Sequence, residues 1–346
     1  MGQTRRMKKA LLAVMLFASC AATAPSQLPK TGDAIPKTGG ASVAPAASPS
    51  SKVIDAGQLL EDVRVLSADA MEGRGVGTPG GAMARAYVER RFADAGLKPL
   101  RASFEQPFDV PARGGGGDGV VRKGVNVVGY VRGKNHPERF IVVTAHYDHL
   151  GVRGGRIYNG ADDNASGVAA LLQLAAHFAR VQPDNSFVFA ALDAEEVGLV
   201  GARALVKQFQ TERRDVALNV NMDMVSHSDS GELYAAGAYH TPALRPLLER
   251  IAARAPVKLL IGHDRPEQGH DDWTNQSDQN EFHLAGIPFV YFGVEDHKDY
   301  HKPTDDFETI TQDFFVHAAE TILDAAQLFD ADLPTLVKQK AKDGKQ

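Results

Sequence analysis

Five short stretches of this chain carry side chains that can hold a metal ion or move a proton. They are His146-Tyr147-Asp148, Asp162-Asp163-Asn164, Asp193-Ala194-Glu195-Glu196, Asp223, and Asp299-Tyr300-His301 with Asp305 close behind. Singly, each has a plain structural use. Asp-Asp-Asn before an apolar helix is an N-cap signal, and a Glu pair at a helix start opposes the helix dipole. A lone histidine is most simply a hydrogen-bonded loop residue. Gathered on one edge, however, so many carboxylates repel one another unless a cation neutralises them. Mixed imidazole and carboxylate donors suit zinc, or another borderline divalent ion, better than calcium or magnesium. Two histidines and three carboxylates, one of them shared, suffice for two ions about 3.5–4 Å apart. A sixth acid then remains as a general base.

An alternation of apolar runs and helical patterns would bring these stretches together. The runs predict strands at Phe104–Val110, Asn126–Val131, Phe140–Thr144, Phe187–Leu192, Leu218–Met222, Lys258–Ile261 and Pro288–Phe292. Helical periodicity marks Leu59–Leu66 and Ala84–Ala95, then Ala165–Arg180, Leu199–Phe209, Pro242–Arg254, Glu281–Ala285 and Asp313–Phe329. Val168, Leu171, Leu172, Ala175 and Phe178 form one apolar stripe, which reads as core. Strands alternating with helices predict a largely parallel sheet in one α/β domain. The candidate residues follow strand ends, the edge on which an open α/β sheet keeps its site. The glycine-rich Met71–Gly80 segment is read as a loop, because no strand precedes it and its glycines do not match a dinucleotide fingerprint. The His- and Asp-rich stretch His263–Ser277 is read as a solvated rim, and His149 as a loop residue.

The amino terminus carries a different signal. Arg5, Arg6, Lys8 and Lys9 precede the apolar run Ala10–Ala18, which is too short to span a bilayer and reads as an export signal. Cys20 follows Phe17-Ala18-Ser19, a segment resembling a bacterial lipoprotein box with Phe17 where Leu is usual. The expected organisation is a lipoprotein-type signal peptide over 1–19 and an Ala/Pro/Ser-rich tether over 20–52. A single globular domain over 53–330 and a polar tail over 331–346 complete it. With Cys20 the sole cysteine, the domain has no disulfides. Removing 1–19 takes four positive charges from a net −5 and leaves −9, which argues against nucleic acid as a partner.

Together, Ala145–Asp148, Gly160–Gly167, Asp193–Gly198, Asn221–Asp223 and Tyr300-His301 resemble segments of a known family. It is that of the co-catalytic zinc exopeptidases of metallopeptidase clan MH, metallo family twenty-eight, and the likeness runs from about Leu59 to Phe329. The resemblance implies a three-layer α/β/α domain with a central, mostly parallel, mixed sheet. It implies two Zn2+ per chain, with Mn2+ or Co2+ as substitutes. One ion would take His146 and Asp223 and the other Glu196 and His301. Asp162 would bridge them, with a cis bond to Asp163 in the supporting shell. Glu195 would be the base, and Tyr300 would help polarise the scissile carbonyl. Asp148 would orient His146, and Asp305 would orient His301. The activity implied is aminopeptidase hydrolysis of peptides with a free amino terminus. The protein would be a monomer anchored in the bacterial envelope through Cys20, at the periplasmic face and with the outer membrane favoured. Relatives also include glutamate carboxypeptidases, single-zinc glutaminyl cyclases and catalytically inactive binding proteins. The first need a basic pocket that the sequence does not reveal, and the last lose ligands that are all filled here. Gln279 stands where some relatives carry His.

Overall fold

The computed structural model describes residue 51 and residues 53–111 and 121–343. The helices are α1 (Ala56–Leu66), α2 (Pro79–Asp94), α3 (Gly167–Arg180), α4 (Val200–Glu212), α5 (Arg245–Ala252), α6 (Gln279–Leu284) and α7 (Gln312–Asp343). The strands are β1 (Lys98–Pro99), β2 (Glu105–Val110), β3 (Arg122–Val131), β4 (His136–His146), β5 (Gly151–Arg153) and β6 (Arg156–Tyr158). They continue with β7 (Asn185–Leu192), β8 (Asp215–Met222), β9 (Glu232–Ala236), β10 (Lys258–Ile261) and β11 (Phe289–Gly293). Nine of them form one sheet in the order β1-β3-β7-β4-β8-β11-β9-β10, with β2 also on β3, while β5 and β6 pair separately. The central strands β7, β4, β8 and β11 run parallel. Antiparallel pairing at β3–β7 and β11–β9 makes the sheet mixed.

Strand periodicity sorts the core into two layers. Ile141, Val143, Phe187, Phe189 and Ala191 point to the face covered by α1, α2, α3 and α7. Their neighbours Val142, Val188, Ala190 and Leu192 point to the face covered by α4 and α6. This alternation is what a sheet buried on both sides requires, and it gives the three-layer α/β/α architecture. Helix α3 is buried along most of its length, from Gly167 to Ala175 and at Phe178. Local capping agrees with the sequence: Asp55 accepts from the Gln58 amide at α1 and Thr78 from the Gly81 amide at α2, where Pro79 takes the first turn.

Two expectations are corrected. The short run Glu232–Ala236, between a glycine and a turn, was not foreseen as a strand; it is β9, inserted between β11 and β10. The boundary at 330 and the polar tail from 331 also fail, because α7 continues to Asp343 and Leu333 is buried in the main core. The signal segment 1–19, Cys20, most of the tether to 52 and Gly114–Gly117 lie outside the described residues. Among the described residues no helix is long and apolar enough to cross a membrane.

Candidate metal centre

Parallel pairing delivers the candidate side chains to one edge. His146 is the last residue of β4, level with Leu192 at the end of β7. Thr144 pairs with Asn221 of β8, so Asp223 emerges level with His146 on the neighbouring strand. His146 Nε2 lies 3.2 Å from Asp223 Oδ1 and 3.4 Å from Asp163 Oδ1. The other oxygen of Asp163 faces a second group: Oδ2 is 3.0 Å from His301 Nε2 and 3.7 Å from His149 Nδ1. Glu196 Oε1 is 2.7 Å from His149 Nδ1 and 3.6 Å from His301 Nε2. The donors of His146, Asp163 and Asp223 cluster within 4.8 Å, as do those of His149, Asp163 and Glu196. Asp163 is common to both clusters.

The expectation for Asp162 is therefore corrected. Its carboxylate is turned into the protein, where Oδ1 accepts from the Ser226 amide at 2.7 Å and the Ser226 hydroxyl at 2.8 Å. Its Oδ2 lies 3.1 Å from His297 Nε2. Asp163 occupies the shared position instead, and the cis peptide bond joins Asp163 to Asn164, not Asp162 to Asp163. The turn that makes this possible begins at Gly160 with φ 57, where a Cβ would stand 2.1 Å from the Asp163 carbonyl and 2.5 Å from the His149 ring.

Asp305 is corrected too. It does not reach His301; its two oxygens accept the amides of Asp162 and Asp163 at 2.9 and 3.0 Å, so it clamps the turn that carries the shared carboxylate. Burial, followed by the nearby Asp162, pushes the Asp305 carboxyl up to about 7. Asp148 does sit beside His146, but through its backbone carbonyl, 3.1 Å from His146 Nδ1. Its carboxylate accepts from the Glu195 amide at 3.0 Å, coupling the β4 end to the β7 end. Asp193 bonds the Val125 amide at 2.9 Å and the Tyr147 hydroxyl at 3.0 Å, holding the same two loops.

Two contributors were missed in the sequence. His149 is buried against Gly160, and neither of its nitrogens makes a hydrogen bond although two carboxylates face it. Burial holds its imidazole down to about 3, so it is neutral and available as a donor. The only available signal was a second histidine three residues after a strand-end histidine. Arg74, from the Met71–Gly80 loop, is wholly buried and donates to the carbonyls of Leu66, Tyr147, Asn159 and Gly160. It pins the two segments that flank the centre. The His263–Ser277 rim is solvated only in part, because Trp273 is buried and stacks on His263 at 3.8 Å. Gln279 is buried and donates to the Trp273 carbonyl at 2.7 Å, so it braces that loop.

A cavity of about 320 Å³ opens on the centre, lined by Glu195, Tyr300 and His301 on one hand and Leu199, Met224 and Trp273 on the other. Burial, opposed in part by His146 and reinforced by Asp278, Asp223 and Glu196, pushes the Glu195 carboxyl well above its ordinary range. Ala194, Met224 and His301 each take a left-handed φ, between 53 and 65, that non-glycine residues rarely adopt. Such conformations persist where the surroundings enforce them, and they cluster at sites. The donor set fits divalent cations: imidazoles face carboxylates that otherwise repel, buried His149 has no hydrogen bond of its own, and one carboxylate presents an oxygen to each cluster.

Fold and donor set together define an α/β/α protein with a candidate divalent-cation centre at the carboxyl edge of its sheet. Residues 126–326 match the family model described as Peptidase family M28, and this chain belongs to that family. Aminopeptidase YwaD of Bacillus subtilis is 30% identical over 237 residues, covering 63% of this chain and 48% of that protein. A probable zinc metalloprotease of Pyrenophora tritici-repentis is 36% identical over 107 residues, covering 30% of this chain and 24% of its own length. This chain thus spans from about a quarter to half of the curated relatives it matches here. Among solved structures, BSAP, a zinc aminopeptidase from Bacillus subtilis, superposes with a TM-score of 0.65 at 19% identity, covering 83% of this chain and 96% of that one. A Fimbriiglobus ruber glutaminyl cyclase superposes with a TM-score of 0.63 at 20% identity, covering 82% and 99%. These two likenesses establish the fold.

Proposed function

We propose that this chain is a zinc-dependent aminopeptidase that hydrolyses the first peptide bond of substrates with a free amino terminus. The observation that carries the reading is the Asp163 carboxylate, with one oxygen at His146 and the other at His301, beside the cavity wall that holds Glu195. His146, Asp223 and Asp163 would hold one ion; Asp163, Glu196 and His301, with His149 at hand, would hold the other. When bound, a zinc pair polarises the scissile carbonyl and acidifies a water to near neutrality. Glu195 takes that water's proton and returns it to the departing amine, a role suited to a carboxyl raised by burial. Tyr300, whose hydroxyl proton burial holds well above its ordinary range, donates to the carbonyl oxygen as charge develops there. Asp148 fixes Glu195 by its backbone, and Asp305 fixes Asp163.

The cavity favours one end of a peptide. Glu196, Asp223 and Asp296 suit a protonated amino terminus, whereas no Lys or Arg among the described residues lines the cavity to pair with a terminal carboxylate. Leu199, Met224, Trp273 and Val294 suit an apolar first side chain. Leucyl-para-nitroanilide and its amino-acetylated counterpart provide the test. Chelator-sensitive cleavage of the first alone is expected, and equal cleavage of both overturns the reading. Pyroglutamyl product from a glutaminyl peptide, without hydrolysis, would replace it with a cyclase. From Arg5–Cys20 we also propose export and lipid anchoring. Cys20→Ala should move the protein from the membrane fraction to the soluble periplasmic fraction; unchanged partition would remove the anchor.

A further inference from the structure

A second cluster of metal-ligating side chains stands beside Asp162 and takes no part in the centre described above. His227 lies in the loop after β8, and His297 and Asp299 lie in the loop after β11. One donor atom from each of the three lies within 4.8 Å of the others. His227 and Asp299 are each 7% exposed, yet His227 Nδ1 and Asp299 Oδ2 have no hydrogen-bond partner. A buried polar atom left unpaired is costly, and two in one three-residue cluster are what a bound cation would satisfy.

The surroundings are built in the same sense. His297 Nε2 lies 3.1 Å from Asp162 Oδ2. A metal-bound histidine usually donates its other ring N–H to such a carboxylate, which assigns His297 Nδ1 as the ligand atom. Its present partner, the Asp299 amide, is at 3.3 Å and is readily given up. Asp299 is braced by the Thr304 hydroxyl at 2.8 Å on Oδ1, leaving Oδ2 for the ion. A cleft of about 360 Å³ opens on His227 and His297, lined by Asp229, Glu232, Glu295 and Asp296 against Lys298, so its field favours a cation. The two imidazoles stack in parallel with centroids 3.9 Å apart, so a rotation of the His227 ring about Cβ–Cγ is needed to turn its Nδ1 toward a common point. Donors at tetrahedral zinc stand about 3.3 Å from one another, so closure by an ångström or so completes the set.

We propose that His227, His297 and Asp299 form a further divalent-cation site, of the zinc class, with its remaining position open to the cleft. Two imidazoles and one carboxylate match a three-ligand zinc site. Its ion would tie the loop after β8 to the loop carrying Tyr300 and His301, and would fix Asp162 next to the shared Asp163.

The test uses the full chain. After metal stripping and equilibrium dialysis against zinc, His227→Leu and Asp299→Asn are each expected to hold one zinc equivalent fewer than wild type, with unchanged circular dichroism. Equal zinc in wild type and both variants overturns the site. Should either variant fail to fold, wild-type crystals grown with zinc decide through anomalous difference density at the zinc edge. A peak bounded by His227, His297 and Asp299 is expected, and its absence beside occupied peaks at Asp163 refutes the proposal. The two centres are read separately in one map, so failure here is distinguishable from failure of the aminopeptidase reading.

Discussion

Asp162 and Asp163 are chemically identical neighbours, and the turn from Gly160, clamped by Asp305 and met by Ser226 and His297, aims one inward and the other at the imidazoles. Asp163→Asn should lose both zinc equivalents of the centre by metal analysis, because the amide cannot offer two anionic oxygens. Asp162→Asn should keep them, since one amide oxygen can still accept from Ser226, and should cost about 1–3 kcal/mol of stability through the altered His297 contact. The opposite pattern of metal loss would restore Asp162 as the shared ligand. For Glu195, Glu195→Gln should lower turnover by at least ~1000-fold with zinc content unchanged, because it removes the proton acceptor and leaves the donor set intact. Residual turnover near wild type would take the role of base from Glu195.

At the level of elements, the loops are held by buried polar side chains more than by their own turns. Arg74 donates to four carbonyls from a wholly buried position. Arg74→Met leaves those carbonyls dry and should cost more than ~3 kcal/mol in urea unfolding. The helix pair α1–α2 contains an ionic contact to a buried carboxylate, Asp62 with Arg91 at 2.7 Å, supported by Tyr87 at 2.6 Å. Burial, opposed chiefly by Arg91, raises the Asp62 carboxyl from 3.8 to about 6. The native state therefore binds this proton more tightly than the unfolded chain. The group's contribution to stability is fullest below pH 3.8 and declines as pH rises through about 6. Arg91→Met should steepen that decline, costing about 2–3 kcal/mol at pH 7 and under ~1 kcal/mol at pH 4, after discounting for the partial exposure of Arg91. An equal cost at both pH values would show that Asp62 does not titrate in this way.

For the whole molecule, the edge carrying the centre opposes folding unless it is neutralised: Asp163, Glu196 and Asp223 converge there with Glu195, and the Asp278 carboxylate is wholly buried behind them without a hydrogen-bond partner. A ligand that binds only the native state at about a thousand times its dissociation constant stabilises it by about 4 kcal/mol. Chelation should therefore lower the melting temperature by several degrees in differential scanning calorimetry, and added zinc should restore it. An unchanged transition would mean that the carboxylates are protonated in the native state and need no ion. The strand and helix order, the α/β architecture and the stretches that supply the centre were legible in the chain because they depend on local periodicity and residue type. The short β9, the passage of α7 beyond Pro334, the inward turn of Asp162, the reach of Asp305 and the burial of His149 and Arg74 were not. Each depends on which neighbour a backbone or side chain meets across the fold. Chemistry and element order are written residue by residue, whereas the choice between two adjacent aspartates is made by distant partners, Ser226 and His297 for one and His146 and His301 for the other, which are adjacent only once the parallel strands have paired.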